Sequence, residues 1–225
     1  KDGVVTAISR SGMERDLPTG VEETLATLEG TWTFDGELLG REYWIFDLLE
    51  TPSLDLREIP WITRVKCLQQ MFNDHPFPHL ELVPWHTDRT AKAKFFDDCS
   101  MSEIEGVVFK RLDSTYKTGR SKDWFKYKFL RTIDCVVVEK ARGGKANIVL
   151  GVYNGDKLVE VGKVSGLQGD GEKTKVGDVV EISCLYVTSG NRIFHPKLPK
   201  IRTDKKREEC TWDQMKACQT NKVMI

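Results

Sequence analysis

No apolar run in the chain approaches membrane-spanning length and no signal-peptide pattern is present, so a soluble, intracellular protein is expected. The six cysteines, Cys67, Cys99, Cys135, Cys184, Cys210 and Cys218, include no CxxC pair. His75, His79, His86 and His195 share no metal-ligand spacing. Zinc is therefore not expected, whereas free thiols in a reducing compartment are. Neither GxGxxG nor GxxxxGK[ST] occurs, so any nucleotide is held without a Rossmann or P-loop cradle. Net charge is absent too: 34 basic residues balance 34 acidic ones, and composition alone announces no nucleic-acid partner.

With 225 residues, 40% of them hydrophobic, the chain can fold as one large or two small domains. Its charge is unevenly spread: basic residues crowd Lys110 to Arg131 and Lys197 to Arg207, and acids crowd the first 60 residues. The most informative stretch runs from Glu105 to Phe129, EGVVFKRLDSTYKTGRSKDWFKYKF. Side chains two apart in a strand share a face, so Lys126 and Lys128 project together, away from Phe125, Tyr127 and Phe129. Glu105, opening the preceding strand, can face them. A carboxylate and two lysines suit a metal-bound polyphosphate, because Mg2+ prefers hard oxygens and phosphates need fixed positive charge. A hairpin that merely solvates a charged outer face fits the same residues.

Taken in order, the chain opens strand-like at Lys1 to Val5, and further residues are expected upstream. Ile8 to Gly12 reads as a strand ending in a turn. Leu17 to Leu28 reads as a helix with Thr19 as N-cap and Glu22 and Glu23 in its first turn. Thr31 to Leu39 resumes a strand with Asp35 and Glu37 on one face, and Arg41 to Leu49 is a deep apolar strand. A helix is expected from Arg57 to Phe72, a strand from His79 to Val83 and a helix from Thr87 to Cys99. After Phe129 the alternating runs Ile133 to Glu139, Asn147 to Tyr153, Leu158 to Val164 and Asp178 to Val187, with turn signals between them, argue a small antiparallel barrel of the OB type. The charged tail from Ile201 ends in a short helix, where Trp212 either caps the barrel or touches nucleic acid.

The motifs in this order resemble those of minimal, two-domain ATP-dependent DNA ligases, within the covalent nucleotidyltransferases that include RNA ligases and mRNA capping enzymes. The family's first motif is Lys-x-Asp-Gly. Here Asp2-Gly3 match it and Lys1 takes the variable place, so the resemblance puts the nucleophilic lysine immediately upstream. Ser9-Arg10-Ser11-Gly12, Asp35-Gly36-Glu37, Tyr43-Trp44-Ile45-Phe46-Asp47, Glu105-Gly106-Val107-Val108, Trp124-Phe125-Lys126-Tyr127-Lys128 and Arg202-Thr203-Asp204-Lys205 resemble the later motifs. One departure is Val5, where many relatives carry arginine.

The resemblance implies an α+β fold: an adenylation domain over residues 1–129 with antiparallel sheets and flanking helices, then an OB-fold β-barrel over 130–225. It implies nucleotide contacts from Lys1, Asp2, Gly3, Arg10, Glu37, Phe46, Glu105, Lys126 and Lys128, with Phe46 stacking on the base. Glu37 and Glu105 would hold Mg2+, Lys126 and Lys128 would serve catalysis at the α-phosphate, and Arg202, Asp204 and Lys205 would act on pyrophosphate. Lys110, Arg111, Lys117, Arg120 and Lys122 would contact the phosphates of nicked double-stranded DNA. The implied enzyme is a monomer without membrane association that takes AMP from ATP onto lysine. Two rivals remain at this level: an RNA ligase or capping enzyme sharing the pocket, and a non-catalytic nucleic-acid-binding module.

Overall fold

The structure, a computed structural model, describes residues 3–102, 104–141, 147–165 and 170–219. By contacts the chain divides into two units. One contains the chain through Ala93 with Val108–Tyr127; the other contains Lys94–Val107 and the chain from Lys128 onward.

The first unit begins with a hairpin of β1 (Ala7–Ile8) and β2 (Glu14–Arg15), followed by α1 (Thr19–Ala26). Its main sheet pairs β3 (Thr33–Leu39), β4 (Glu42–Thr51) and β5 (Leu54–Asp55) antiparallel. Helix α2 (Trp61–Asp74) then crosses over to β6 (Leu80–Leu82), which lies parallel to β4, as a helical connection between parallel strands permits. Strand β4 is thus the centre of the sheet, and Ile45, Asp47, Leu48 and Leu49 along it are all buried, in line with the deep apolar strand expected there. Val21, Ile45, Leu48, Leu56, Leu68 and Leu80 form the core, so α1 and α2 each contribute an apolar face to the sheet.

Both helices start at a different residue from the one the sequence pattern suggests, and for one reason. Pro18 and Pro60 occupy the N-cap positions, and neither helix has a side-chain cap. Proline disfavours the helical region for the residue before it, so no turn propagates upstream. The Pro18 carbonyl instead accepts from the Val21 and Glu22 amides, and the Pro60 carbonyl from Thr63 and Arg64. Thr19 is therefore the first helical residue rather than the cap, and α2 begins at Trp61 rather than Arg57.

Strands β7 (Gly106–Lys110) and β8 (Trp124–Lys128) pair as a two-stranded ribbon, and the division into units cuts both strands. Helix α3 (Arg89–Ser100) precedes them. The second unit is built on a five-stranded antiparallel sheet of β9 (Arg131–Ala141), β10 (Asn147–Asn154), β11 (Lys157–Ser165), β12 (Val179–Cys184) and β15 (Lys197–Ile201), in the order β11-β10-β9-β12-β15. A short helix α4 (Asp170–Lys173) precedes β12, and β13 (Tyr186–Val187) and β14 (Ile193–Phe194) form a separate hairpin. Among the described residues no pairing joins β11 to β15, so the expected barrel is an open sheet; OB-folds are themselves partly open. Ile133, Val137, Ile148, Leu150, Val161, Val180 and Ile182 fill its core. Met215 of α5 (Trp212–Ala217) completes that core and Trp212 packs against it, so the tryptophan covers the sheet.

Candidate active site

In the first unit, close packing dictates the local sequence around Asp35. A Cβ on Gly36 would lie 2.5 Å from the Trp44 carbonyl oxygen, so only glycine allows β3 to run this close to β4. The register shifts between Asp35 and Gly36, where Asp35 pairs with Asp47 and Gly36 with Ile45, so the extra residue of the bulge is Phe46 on β4. Asp35 is partly buried and accepts from Tyr116 Oη at 2.9 Å, whereas Glu37 is exposed. Burial raises the Asp35 pKa, against the lowering effect of the Tyr116 hydrogen bond. The Tyr116 hydroxyl is pushed up to about 12, chiefly by burial and then by Asp35.

Beside Asp35 lies a feature that strand alternation explains. Phe109 is 45% exposed, so the next residue, Lys110, turns inward. Its Nζ donates to the Phe46 carbonyl at 3.0 Å and sits 4.0 Å from the Trp124 ring centroid, 4.6 Å from that of Phe46 and 5.3 Å from that of Trp61. Desolvation lowers the lysine pKa to about 8, with Asp47 and Asp35 opposing the shift. Lys110 therefore stands among aromatic faces rather than with the exposed backbone-contact cations, and this corrects its expected place. The aromatic residue singled out for base stacking, Phe46, is part of the same cage, with Trp124 edge-on to it at 6.3 Å.

Behind the cage is a buried ion pair. Arg64, wholly buried on α2, donates from Nε and Nη2 to the two carboxylate oxygens of Asp47 at 2.8 Å each. Its Nη1 donates to the carbonyls of Ile59 and Ser114, and the Ser114 carbonyl also accepts from the Trp61 amide at 2.8 Å. This bidentate pair ties α2 to β4 and to the loop after β7. The sequence reading passed over Arg64; its trace was an arginine on the same face as Trp61, Val65 and Leu68.

Of the loop cations, Arg111 pairs with Asp113 at 2.6 Å and Lys117 with Asp123 at 2.7 Å. Arg120 and Lys122 are exposed and form no ion pair with any described residue. Lys126 on β8 is exposed, and Arg10 is exposed on the β1–β2 turn. Gly3 is exposed with a positive φ of 77°. The expected contacts at Lys1 and Asp2 fall outside the described residues.

In the second unit, Glu105 and Lys128 meet as their strand positions suggest. Lys128 Nζ donates to Glu105 Oε1 at 2.6 Å, and the Phe129 amide donates to the Glu105 carbonyl at 2.9 Å. Arg202, Asp204 and Lys205 gather beside an open cleft of about 590 Å³. Asp204 forks the Arg202 guanidinium, accepting from Nε and Nη2 at 2.8 Å each. Asp134 and Glu181 both accept from Arg202 Nη1, at 3.2 and 3.1 Å, and Lys205 Nζ donates to Asp134. The hydrogen bond from Arg202 holds the Asp204 carboxyl well below the usual carboxylate range, and that to Asp134 raises the Lys205 pKa. These cations remain charged at neutral pH. Asp134 and Glu181 are the residues that motif reading missed here, since both lie on sheet strands far from the tail.

A divalent cation of the Mg2+ class takes one or two protein carboxylates and completes its shell with phosphate oxygens and water. Among the described residues no cluster of three or more His, Cys, Asp or Glu residues is placed to hold a metal. Glu105 fits the sparser requirement: it is a hard oxygen donor with one oxygen on Lys128 and the other making no hydrogen bond with a described residue.

Residues 31–128 match the family model of the ATP dependent DNA ligase domain. A probable DNA ligase of Saccharopolyspora erythraea is 30% identical over 162 residues, covering 69% of this chain and 30% of that protein. A probable DNA ligase of Dictyoglomus turgidum is 28% identical over 135 residues, 54% of this chain and 23% of its own length. The chain thus spans between about a quarter and a third of these curated relatives. Among solved structures, the ligase domain of LigD from M. tuberculosis superposes with a TM-score of 0.52 at 22% identity, covering 93% of this chain and 86% of that one. A Lig E DNA ligase, described as binding DNA with a minimal scaffold, gives 0.64 at 15% identity, covering 90% and 87%. These structural likenesses establish a shared fold, and the matched residues 31–128, with the curated relatives, place an ATP dependent DNA ligase domain in this chain.

Proposed function

We propose that the protein is an ATP-dependent DNA ligase that seals nicks between a 5′-phosphate and a 3′-hydroxyl in duplex DNA. The observation that carries this reading is the match of residues 31–128 to the ATP dependent DNA ligase domain. The adenylation domain runs to residue 129 and the OB-type domain follows it. The enzyme works as a monomer inside the cell, and no described helix is long and apolar enough to cross a membrane.

In the first step a lysine of the Lys-x-Asp-Gly motif attacks the α-phosphorus of ATP. A nitrogen–phosphorus bond forms, the bond to the bridging oxygen breaks, and pyrophosphate leaves with the electron pair while the lysine loses a proton to solvent. AMP then passes to the DNA 5′-phosphate, and the 3′-hydroxyl displaces AMP. An ordinary lysine, pKa ~10.4, is neutral in roughly one molecule in two thousand at pH 7, so nearby positive charge is needed to free its lone pair. Lys126 and Lys128 supply that charge, and they stabilise negative charge on the α-phosphate. Glu105, with Glu37, would hold Mg2+, and the ion would supply charge neutralisation to the polyphosphate. Phe46 stacks on the base, and Gly3 and Arg10 line the sugar and phosphate. Arg202, Asp204 and Lys205 act on the departing pyrophosphate. Arg120 and Lys122, with Arg111 and Lys117 at the cost of their carboxylate partners, contact the DNA backbone.

The test uses the full-length protein with labelled ATP and Mg2+, followed by a nicked duplex carrying a 5′-phosphate, a nicked RNA and a capped-RNA precursor. Covalent AMP and closure of the DNA nick are the expected outcome. Absence of a covalent nucleotide removes the reading, and preferential closure of RNA replaces it with an RNA ligase.

A further inference from the structure

Arg202 and Lys205 are held by a residue of another element. Asp134 lies on β9, 68 and 71 residues before them, with its side chain 10% exposed. Its amide donates to Gln214 Oε1 of α5 at 3.0 Å, which fixes the strand residue from behind. Its carboxylate is split between two partners: Oδ1 accepts from Arg202 Nη1 and Oδ2 from Lys205 Nζ.

The surrounding charges show why this position matters. Three carboxylates, Asp134, Glu181 and Asp204, meet two cations, Arg202 and Lys205, so the five groups sum to one negative charge. Their net field does not attract a polyphosphate; hydrogen bonds aimed at it must do so. All three guanidinium nitrogens of Arg202 already engage a carboxylate. Lys205 uses one of its three N–H donors on a described residue, and it lines the cleft together with Lys206 and Arg207. Lys205 is thus the donor with capacity to spare, on a flexible stem that needs an anchor.

We propose that Asp134 is a positioning residue for enzyme adenylation: it sets the Lys205 ammonium so that Lys205 meets the β- and γ-phosphate oxygens of ATP as pyrophosphate departs. This rests on the ligase reading above and adds to it a residue outside the motif that acts through Lys205.

A double-mutant cycle in the full-length protein tests it. Asp134→Asn, Lys205→Ala and the double variant are compared in self-adenylation with ATP and in sealing of a nick that already carries AMP. Asp134→Asn is expected to lower the adenylation rate by roughly 10- to 100-fold, as loss of an outer-shell partner does at metal sites, and to leave pre-adenylated sealing unchanged. In the Lys205→Ala background the same change should cost less than about twofold, because its route of action is gone. Wild-type adenylation by Asp134→Asn, multiplicative losses in the double variant, or equal loss of both activities would each overturn the assignment. If Asp134→Asn does not fold, Asp134→Glu takes its place in the cycle with the same outcomes. Should the unaltered protein take up no AMP, the ligase reading itself fails, which separates that failure from this one.

Discussion

Lysines are handled in opposite ways in the two units. In the first, Lys110 is surrounded by the faces of Phe46, Trp61 and Trp124, and burial lowers its pKa to about 8. In the second, Lys128 and Lys205 meet Glu105 and Asp134 directly, and Lys205 shifts upward. An aromatic face attracts a cation but restores less than the water it displaces; a carboxylate at hydrogen-bond distance restores more. Lys110 is therefore a titrating group near neutrality, whereas Lys205 keeps its charge.

The strongest way to break the first environment is to remove what stands behind it. Arg64→Ala leaves the Asp47 carboxylate buried and unpaired, and should destabilise the protein by about 3–5 kcal/mol in denaturant unfolding. An unchanged midpoint would show that Asp47 finds another partner. In the second unit, Lys128→Ala should slow AMP transfer by about 100-fold or more with the unfolding transition unchanged, since it removes charge stabilisation at the reacting phosphate. Normal adenylation by that variant removes its role.

The contrast in pKa predicts a pH dependence with a definite sign. The Lys110 pKa falls from 10.5 to about 8 on folding, so between those values the unfolded chain binds the proton and the folded protein does not. Stability contributed by this group rises as pH climbs through that window, and the penalty is fully present below about pH 8. Lys110→Met should flatten the rise between pH 8 and 10, with a difference on the order of 1–2 kcal/mol in unfolding free energy. An equal slope in both proteins would place Lys110 in water. The smallest effect belongs to the loop: Arg120→Ala and Lys122→Ala should each reduce the slope of log affinity for DNA against log salt by about 1, without altering adenylation.

Much of the second unit was legible because alternating runs between turn signals translate directly into antiparallel strands. Asn147 to Tyr153 is expected and Asn147–Asn154 is found. That Lys126 and Lys128 fall two apart on one strand was legible for the same reason, whereas the contact of Lys128 with Glu105, 23 residues away, needed the ribbon to pair. Less was legible where one residue type serves two ends. Lys110 sits in a basic loop sequence, and only the outward turn of Phe109 sends it into the ring cage. Asp35 and Glu37 share a strand face on paper, but Asp35 is partly buried against Tyr116 while Glu37 is exposed.

Strand period and turn signals by themselves determined the class of fold, and motif order carried the resemblance to DNA ligases. Those properties follow from local geometry and from residue chemistry that does not depend on neighbours. The tertiary structure decided which charges are spent on one another: Asp47 with Arg64, and Asp134 with Arg202 and Lys205. Partners 17 to 71 residues apart are brought together only by sheet pairing and helix packing, because burying a charge is tolerable only where the fold delivers its counter-charge.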